Sequence, residues 1–133
     1  MHEEESKRLN IPEKEYFILA TNSDLIRAAS DEIVYISSNG NYSLLYFTNG
    51  ESRIMTLQLG MIEMCLSDQL KVTGRHFVRI GRSLIINRNY IRYINIVKQE
   101  LVLCDGTNNY SVSASKMALV QLKNLIEKEM LYD

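Results

Sequence analysis

The dipeptide Asn49-Gly50 constrains this chain more than any other feature. It joins YSLLYFT (residues 42–48) to ESRIMT (residues 51–56). A type I′ hairpin turn needs positive φ at both central residues, and Asn-Gly meets that need at low steric cost. The dipeptide therefore predicts an antiparallel hairpin over 42–56. Similar short runs of β-branched and aromatic residues predict strands at 16–20, 24–29, 32–37, 77–80, 83–86, 92–97, 101–104 and 109–113. Turn clusters separate several of them, including Ser38-Asn39-Gly40-Asn41, Gly81-Arg82 and Asp105-Gly106. Strands 92–97 and 101–104 are joined as a hairpin through Lys98-Gln99-Glu100.

Apolar residues at 59, 62 and 66, with Met61 and Cys65 beside them, have helical spacing and predict a short helix over 57–66, interrupted by Gly60. Residues 67–75 read as a polar loop. Ser113 or Ser115 can cap a terminal helix whose Leu119, Leu122, Leu125 and Ile126 share one face. Strands do not alternate with long helices, so a parallel α/β sheet is excluded in favour of a mainly β, antiparallel fold.

A chain of 133 residues makes one domain with room for a core. Residues 1–14 are charged, end near Ile11-Pro12, and read as a flexible leader or linker remnant before a domain at 15–133. The acidic, polar start is unlike a signal peptide. No stretch reaches the length needed to cross a bilayer, so no membrane insertion is expected and a cytoplasmic location is. Cys65 and Cys104 lie in apolar runs without metal-ligand spacing and are expected as buried, reduced thiols. Met55, Met61, Met64 and Met117 read as core filler. No Ser-His-Asp order, HExxH, P-loop or GxGxxG appears, so neither an enzyme nor a cofactor is expected.

Charge is distributed unevenly. Of 15 basic and 16 acidic residues, seven basic and no acidic ones fall between Gln69 and Gln99. They are Lys71, Arg75, Arg79, Arg82, Arg88, Arg92 and Lys98. A near-neutral protein with one basic segment suits an anionic partner, above all nucleic acid.

The segment Phe77-x-Arg79-Ile80-x-Arg82-Ser83-Leu84-Ile85-Ile86-Asn87 resembles the F-x-R-I-x-R-S-x-[IV]-V-N pattern of the LytTR domain. That domain is the DNA-binding output module of LytR/AlgR-type bacterial transcription regulators. Ile33-Val34-Tyr35-Ile36 with Gly40-Asn41-Tyr42, Leu59 with Ile62-Glu63 and Leu66, and Leu101-Val102-Leu103 with Asp105-Gly106 and Val112-Ser113 extend the likeness over about Tyr16 to Ile126. The resemblance implies an elongated antiparallel β architecture of packed small sheets, with a short middle helix and a C-terminal helix. It also implies loops that enter successive major grooves of duplex DNA, direct-repeat sites, and two copies side by side. A regulatory protein partner is a further expectation. No receiver-like segment precedes the module, which suits a stand-alone regulator or an excised response-regulator output domain.

Three loops carry base contacts in that family. They correspond here to Asn41-Tyr42, Gly81-Arg82-Ser83 and the loop after Val112-Ser113. At the third, Ala114 stands where the family usually has Arg, and Ala cannot make a bidentate guanine contact. Either Lys116 substitutes as a less directional donor or specificity at that base is relaxed. The base-reading candidates are therefore Asn41, Tyr42, Arg82 and Lys116, and the phosphate candidates are Arg75, Arg79, Ser83 and Ser115. Five of the eight have a structural alternative. Arg82 also reads as a solvated turn residue, Tyr42 as cross-strand packing, Ser83 as a strand-starting cap, Ser115 as a helix cap, and Arg79 as a partner for Glu63. Asn87 reads as the shaper of an Asx-type corner, and His76 as a surface residue. The alternative function is a β-rich protein-interaction module without sequence-specific DNA binding.

Overall fold

A computed structural model describes residues 14–132, with side chains to residue 129. The leader assigned to 1–14 lies, apart from Lys14, outside the described residues. Among the described residues, ten strands form three antiparallel sheets. β1 (Tyr16–Ala20) and β2 (Leu25–Ala29) make a two-stranded sheet. β3 (Ile33–Asn39), β4 (Tyr42–Phe47), β5 (Ser52–Met55), β6 (Phe77–Ile80) and β7 (Leu84–Asn87) make a five-stranded sheet ordered β5-β4-β3-β7-β6. β8 (Ile91–Asn95), β9 (Glu100–Cys104) and β10 (Asn109–Ser113) make the third. Helix α1 (Leu59–Gln69) follows β5, and α2 (Lys116–Tyr132) follows β10. The protein is mainly β, with two helices.

The five-stranded sheet is covered on both faces, which explains the unbroken apolar runs IVYI in β3 and LII in β7. One face joins β1, β2 and α1 in a core containing Phe17, Leu19, Ile33, Ile36, Leu45, Met55, Ile62 and Ile85. The other face joins the three-stranded sheet and α2 around Val34, Ile80, Leu84, Ile86, Leu101, Leu103, Leu119 and Leu122. Alternation in β7 sends Ile85 to the first core and Leu84 and Ile86 to the second. In β3 the register shifts between Ile33 and Tyr35. That irregularity lets the adjacent Val34 and Tyr35 both serve the second core.

The hairpin over 42–56 forms, but its turn differs from the expected type. The Phe47 N–H donates to Glu51 O at 2.9 Å and the Gly50 N–H donates to Phe47 O at 3.0 Å. Within this turn only Gly50 takes positive φ, at 84°. This is a three-residue loop closed by a left-handed glycine, not a two-residue type I′ turn. Asn49 is instead used through its side chain, whose Oδ1 accepts from the Glu51 N–H at 2.9 Å.

Three other expectations are corrected. α1 continues to Gln69, and Thr73–His76 form a 3-10 turn, so 67–75 is not all loop. Of the four methionines expected as core filler, only Met55 is core; Met61, Met64 and Met117 are 52%, 60% and 85% exposed. They sit on helix surfaces opposite the residues that pack inward. Cys65 and Cys104 are free thiols but only half-buried, because each lies at the margin of its element's buried face. Asn87 takes its expected corner role, donating to Ile33 O at 2.9 Å and accepting from the Asn89 N–H at 3.2 Å.

Candidate nucleic-acid interface

Strand direction brings separate loops to one edge. β3 ends at Asn39 and turns through Gly40-Asn41 into β4, with Asn39 opposite Tyr42. β7 runs antiparallel to β3 and starts with Leu84 opposite Ser37. The Gly81-Arg82-Ser83 turn before β7 therefore lies at the same end as Gly40-Asn41. A hydrogen bond from the Ser38 N–H to Ser83 O, at 2.8 Å, joins the two turns. In the three-stranded sheet, Asn95 and Ser113 both pair with Glu100. The β8–β9 turn and the β10–α2 loop are consequently neighbours, tied by Gln99 Nε2 donating to Ala114 O at 3.3 Å.

The two sheet ends meet at Gly81, which takes positive φ of 58°. A Cβ placed there would lie 3.6 Å from the Ala118 Cβ on the first turn of α2. Glycine thus suits both the turn and its close approach to the helix. Between them opens a cleft of about 360 Å³ lined by Gly81, Arg82, Ser83, Gln99, Ser113 and Ser115.

Asn41, Tyr42, Arg82, Ser83, Ser115 and Lys116 are all exposed on this edge. Arg82 has a braced backbone, and its side chain makes no ion pair among the described residues. Its carbonyl accepts from Arg79 Nη2 at 2.9 Å, while Arg79 Nη1 pairs with Glu63 Oε1 at 2.8 Å. Arg79 is thus held between α1 on one side and the Arg82 turn on the other. Its Nε is buried without a hydrogen-bond partner among the described residues. Ser115 caps α2, its Oγ accepting from the Ala118 N–H at 3.2 Å. Lys116 stands in the first helical turn, where the remaining N–H groups and the helix dipole favour an anion.

Ala114 is 8% exposed and packs into the second core. Its side chain faces inward, so an Arg at this position would need a different loop path to reach outward. The neighbouring Ser113, Ser115 and Lys116 are the side chains that this loop exposes.

A match to the LytTr DNA-binding domain spans residues 23–127. The chain belongs to the LytTR family. Among solved structures, this LytTR chain is similar to the LytTr DNA-binding domain of a methyl-accepting/DNA response regulator from Bacillus cereus. The match has a TM-score of 0.57 and 19% identity, and covers 86% of this chain and 98% of that one. No curated protein matches the chain significantly. Its family is one of DNA-binding domains, not enzymes. No helix among the described residues is long and apolar enough to cross a membrane.

The basic segment of this LytTR domain does not form one patch. Lys71 and Arg75 precede β6, at the end of the sheet opposite Arg82. Arg75 lies beside a cleft with Asp31, His76, Asn87 and Asn89, remote from the loop edge. Arg88 pairs with Glu129. Partial burial pushes the His76 pKa below its usual value, with Arg75 and Arg88 adding to the effect and Glu15 opposing it. Two features of the edge escaped sequence reasoning. Gln99 was visible only as a hairpin-turn residue, and the contact of Arg79 with the Arg82 carbonyl requires the antiparallel β6–β7 register. The FxRIxRS spacing was the available signal for the latter.

Proposed function

We propose that this LytTR domain binds duplex DNA sequence-specifically, inserting the loops at Asn41-Tyr42, Gly81–Ser83 and Ser113–Lys116 into the major groove to regulate transcription. The observation that carries this reading is the convergence of those three loops on one exposed edge. Arg82 suits guanine, because its planar fork matches O6 and N7. Asn41 offers an amide for an adenine edge, and Tyr42 offers a ring for a thymine methyl or the sugar. Lys116 reads a base acceptor in place of the arginine absent at position 114. Ser83, Ser115 and the α2 N-terminus hold phosphates, which fixes register without carrying sequence information. Arg75 contributes only where the duplex runs or bends past the opposite end of the sheet.

Direct-repeat sites and a side-by-side pair of copies follow from the family reading, as does a bacterial cytoplasmic setting. Selection of bound sequences from a random duplex library, at low and physiological salt, tests the proposal. A recovered motif supports it, and a repeated motif supports paired binding. Binding without a motif, confined to low salt, refutes sequence-specific recognition. About 4–8 phosphate contacts would give a log–log salt slope of about −4 to −7.

A second reading, a protein-interaction module, has support from the exposed Met61 and Met64 on α1. A nearly salt-independent interaction with a protein and no DNA binding at low salt would favour it.

A further inference from the structure

We infer that the β8–β9 turn is a fourth DNA contact, with Lys98 holding a backbone phosphate beside the β10–α2 loop. The inference rests on the DNA-binding reading above and adds a contact element to it. Three observations support it.

The first is placement. Asn95 and Ser113 both pair with Glu100, so the turn at Ile96–Gln99 and the loop at Ser113–Ser115 sit side by side. Gln99 lines the same cleft as Arg82, Ser83 and Ser115. A duplex seated against the three loops passes this turn.

The second is rigidity. Gln99 has φ of 52°, the only positive value at a non-glycine among the described residues. A left-handed glutamine lacks the short local hydrogen bonds that make Asn or Asp tolerable there. Other bonds hold it: the Gln99 N–H donates to Ile96 O at 3.1 Å, and its Nε2 donates to Ala114 O at 3.3 Å. Asn95 Oδ1 accepts from the Lys98 N–H at 2.9 Å. The tip is therefore fixed at both shoulders and tied to a proposed reading loop. A prefixed tip loses little entropy on binding.

The third is chemistry. Lys98 is exposed and forms no ion pair among the described residues. Val97 beside it is 83% exposed, although a solvent-facing turn is ordinarily built from polar residues. Met117 at 85% and Tyr42 at 44% exposure stand on the same edge. An ammonium next to a projecting aliphatic group suits a phosphate and its adjoining sugar.

The test is the salt dependence of binding to the selected duplex by the whole chain, comparing wild type, Lys98→Ala, Lys98→Arg and the opposite-end control Lys71→Ala. Loss of one phosphate contact should reduce the magnitude of the log–log slope by about 0.9 in Lys98→Ala. At about 150 mM salt that corresponds to roughly fivefold weaker binding, equal for matched and mismatched sites. Lys98→Arg should restore both values, and Lys71→Ala should leave them unchanged. If Lys98→Ala keeps the wild-type slope and affinity while Arg82→Ala loses discrimination, the fourth contact is overturned and the three-loop reading stands. A change in base preference in Lys98→Ala would also overturn the phosphate assignment. If wild type binds no duplex at low salt, both readings fall.

Discussion

Replacing Arg79 with Ala should change how the domain reads one base without removing a group that touches DNA. Arg79 spans 2.8 Å to Glu63 Oε1 and 2.9 Å to the Arg82 carbonyl. Its side chain is 29% exposed and that of Glu63 49%. A pair this exposed contributes about 0.2–1 kcal/mol. A charged donor on a carbonyl contributes about 1.5–3 kcal/mol when fully desolvated, and less here. Against these stands the buried Nε, whose unmet hydrogen bond is relieved by the substitution. The net loss of stability should be about 1 kcal/mol or less, measured by urea unfolding. Glu63→Ala should cost less than about 1 kcal/mol, because the carbonyl bond survives, and the double variant should be non-additive. In DNA binding, Arg79→Ala should weaken the matched site by about 5–30-fold and flatten preference at the Arg82 base pair, because the turn loses its brace. The salt slope should stay at the wild-type value. A slope reduced by about 0.9 with base preference intact would mean that Arg79 neutralises a phosphate, and would refute the bracing argument. Arg79→Lys, which leaves a single point donor, should recover only part of the discrimination.

Arg82→Ala should leave stability within about 0.5 kcal/mol while costing about 1–3 kcal/mol of discrimination at one base pair, read by competition with single-base variants. Glu15 receives the N–H groups of Lys71, Val72 and Thr73 together with the Thr73 hydroxyl. Hydrogen bonds from the Thr73 backbone above all lower its pKa from 4.5 to about 2. The carboxylate therefore stabilises the fold fully above pH 4.5, and that stability is lost as pH falls through about 2. Glu15→Gln should remove about 1–2 kcal/mol near neutral pH, after allowance for solvent screening, and flatten the acid limb of the stability curve. Met55→Ala should cost about 2–5 kcal/mol by thermal or urea unfolding, and Met61→Ala about 0.5 kcal/mol or less, since one is buried and the other exposed.

Local chemistry settled much of this protein. Alternating and continuous apolar runs, glycine-bearing turns and the 59, 62, 66 spacing suffice for the ten strands and two helices, because each depends on residues within a few positions. The motif around Arg82 likewise carried the family resemblance. Details that depend on partners far along the chain required the fold. Asn49 has the composition of a type I′ turn, yet its side chain caps Glu51 and leaves the left-handed position to Gly50. The methionines have similar hydrophobicity, but only the face on which each falls separates buried Met55 from exposed Met61 and Met117. The basic segment is continuous along the chain, but β6 and β7 reverse it, sending Arg75 and Arg82 to opposite ends of a sheet. Ala114 is a small residue wherever it stands; that it points into the second core follows from how the loop enters α2. Sequence alone placed the ten strands and two α-helices of the described residues to within a few positions. Tertiary structure decided which charges share a surface, because strand reversal and sheet packing set distances that sequence separation does not.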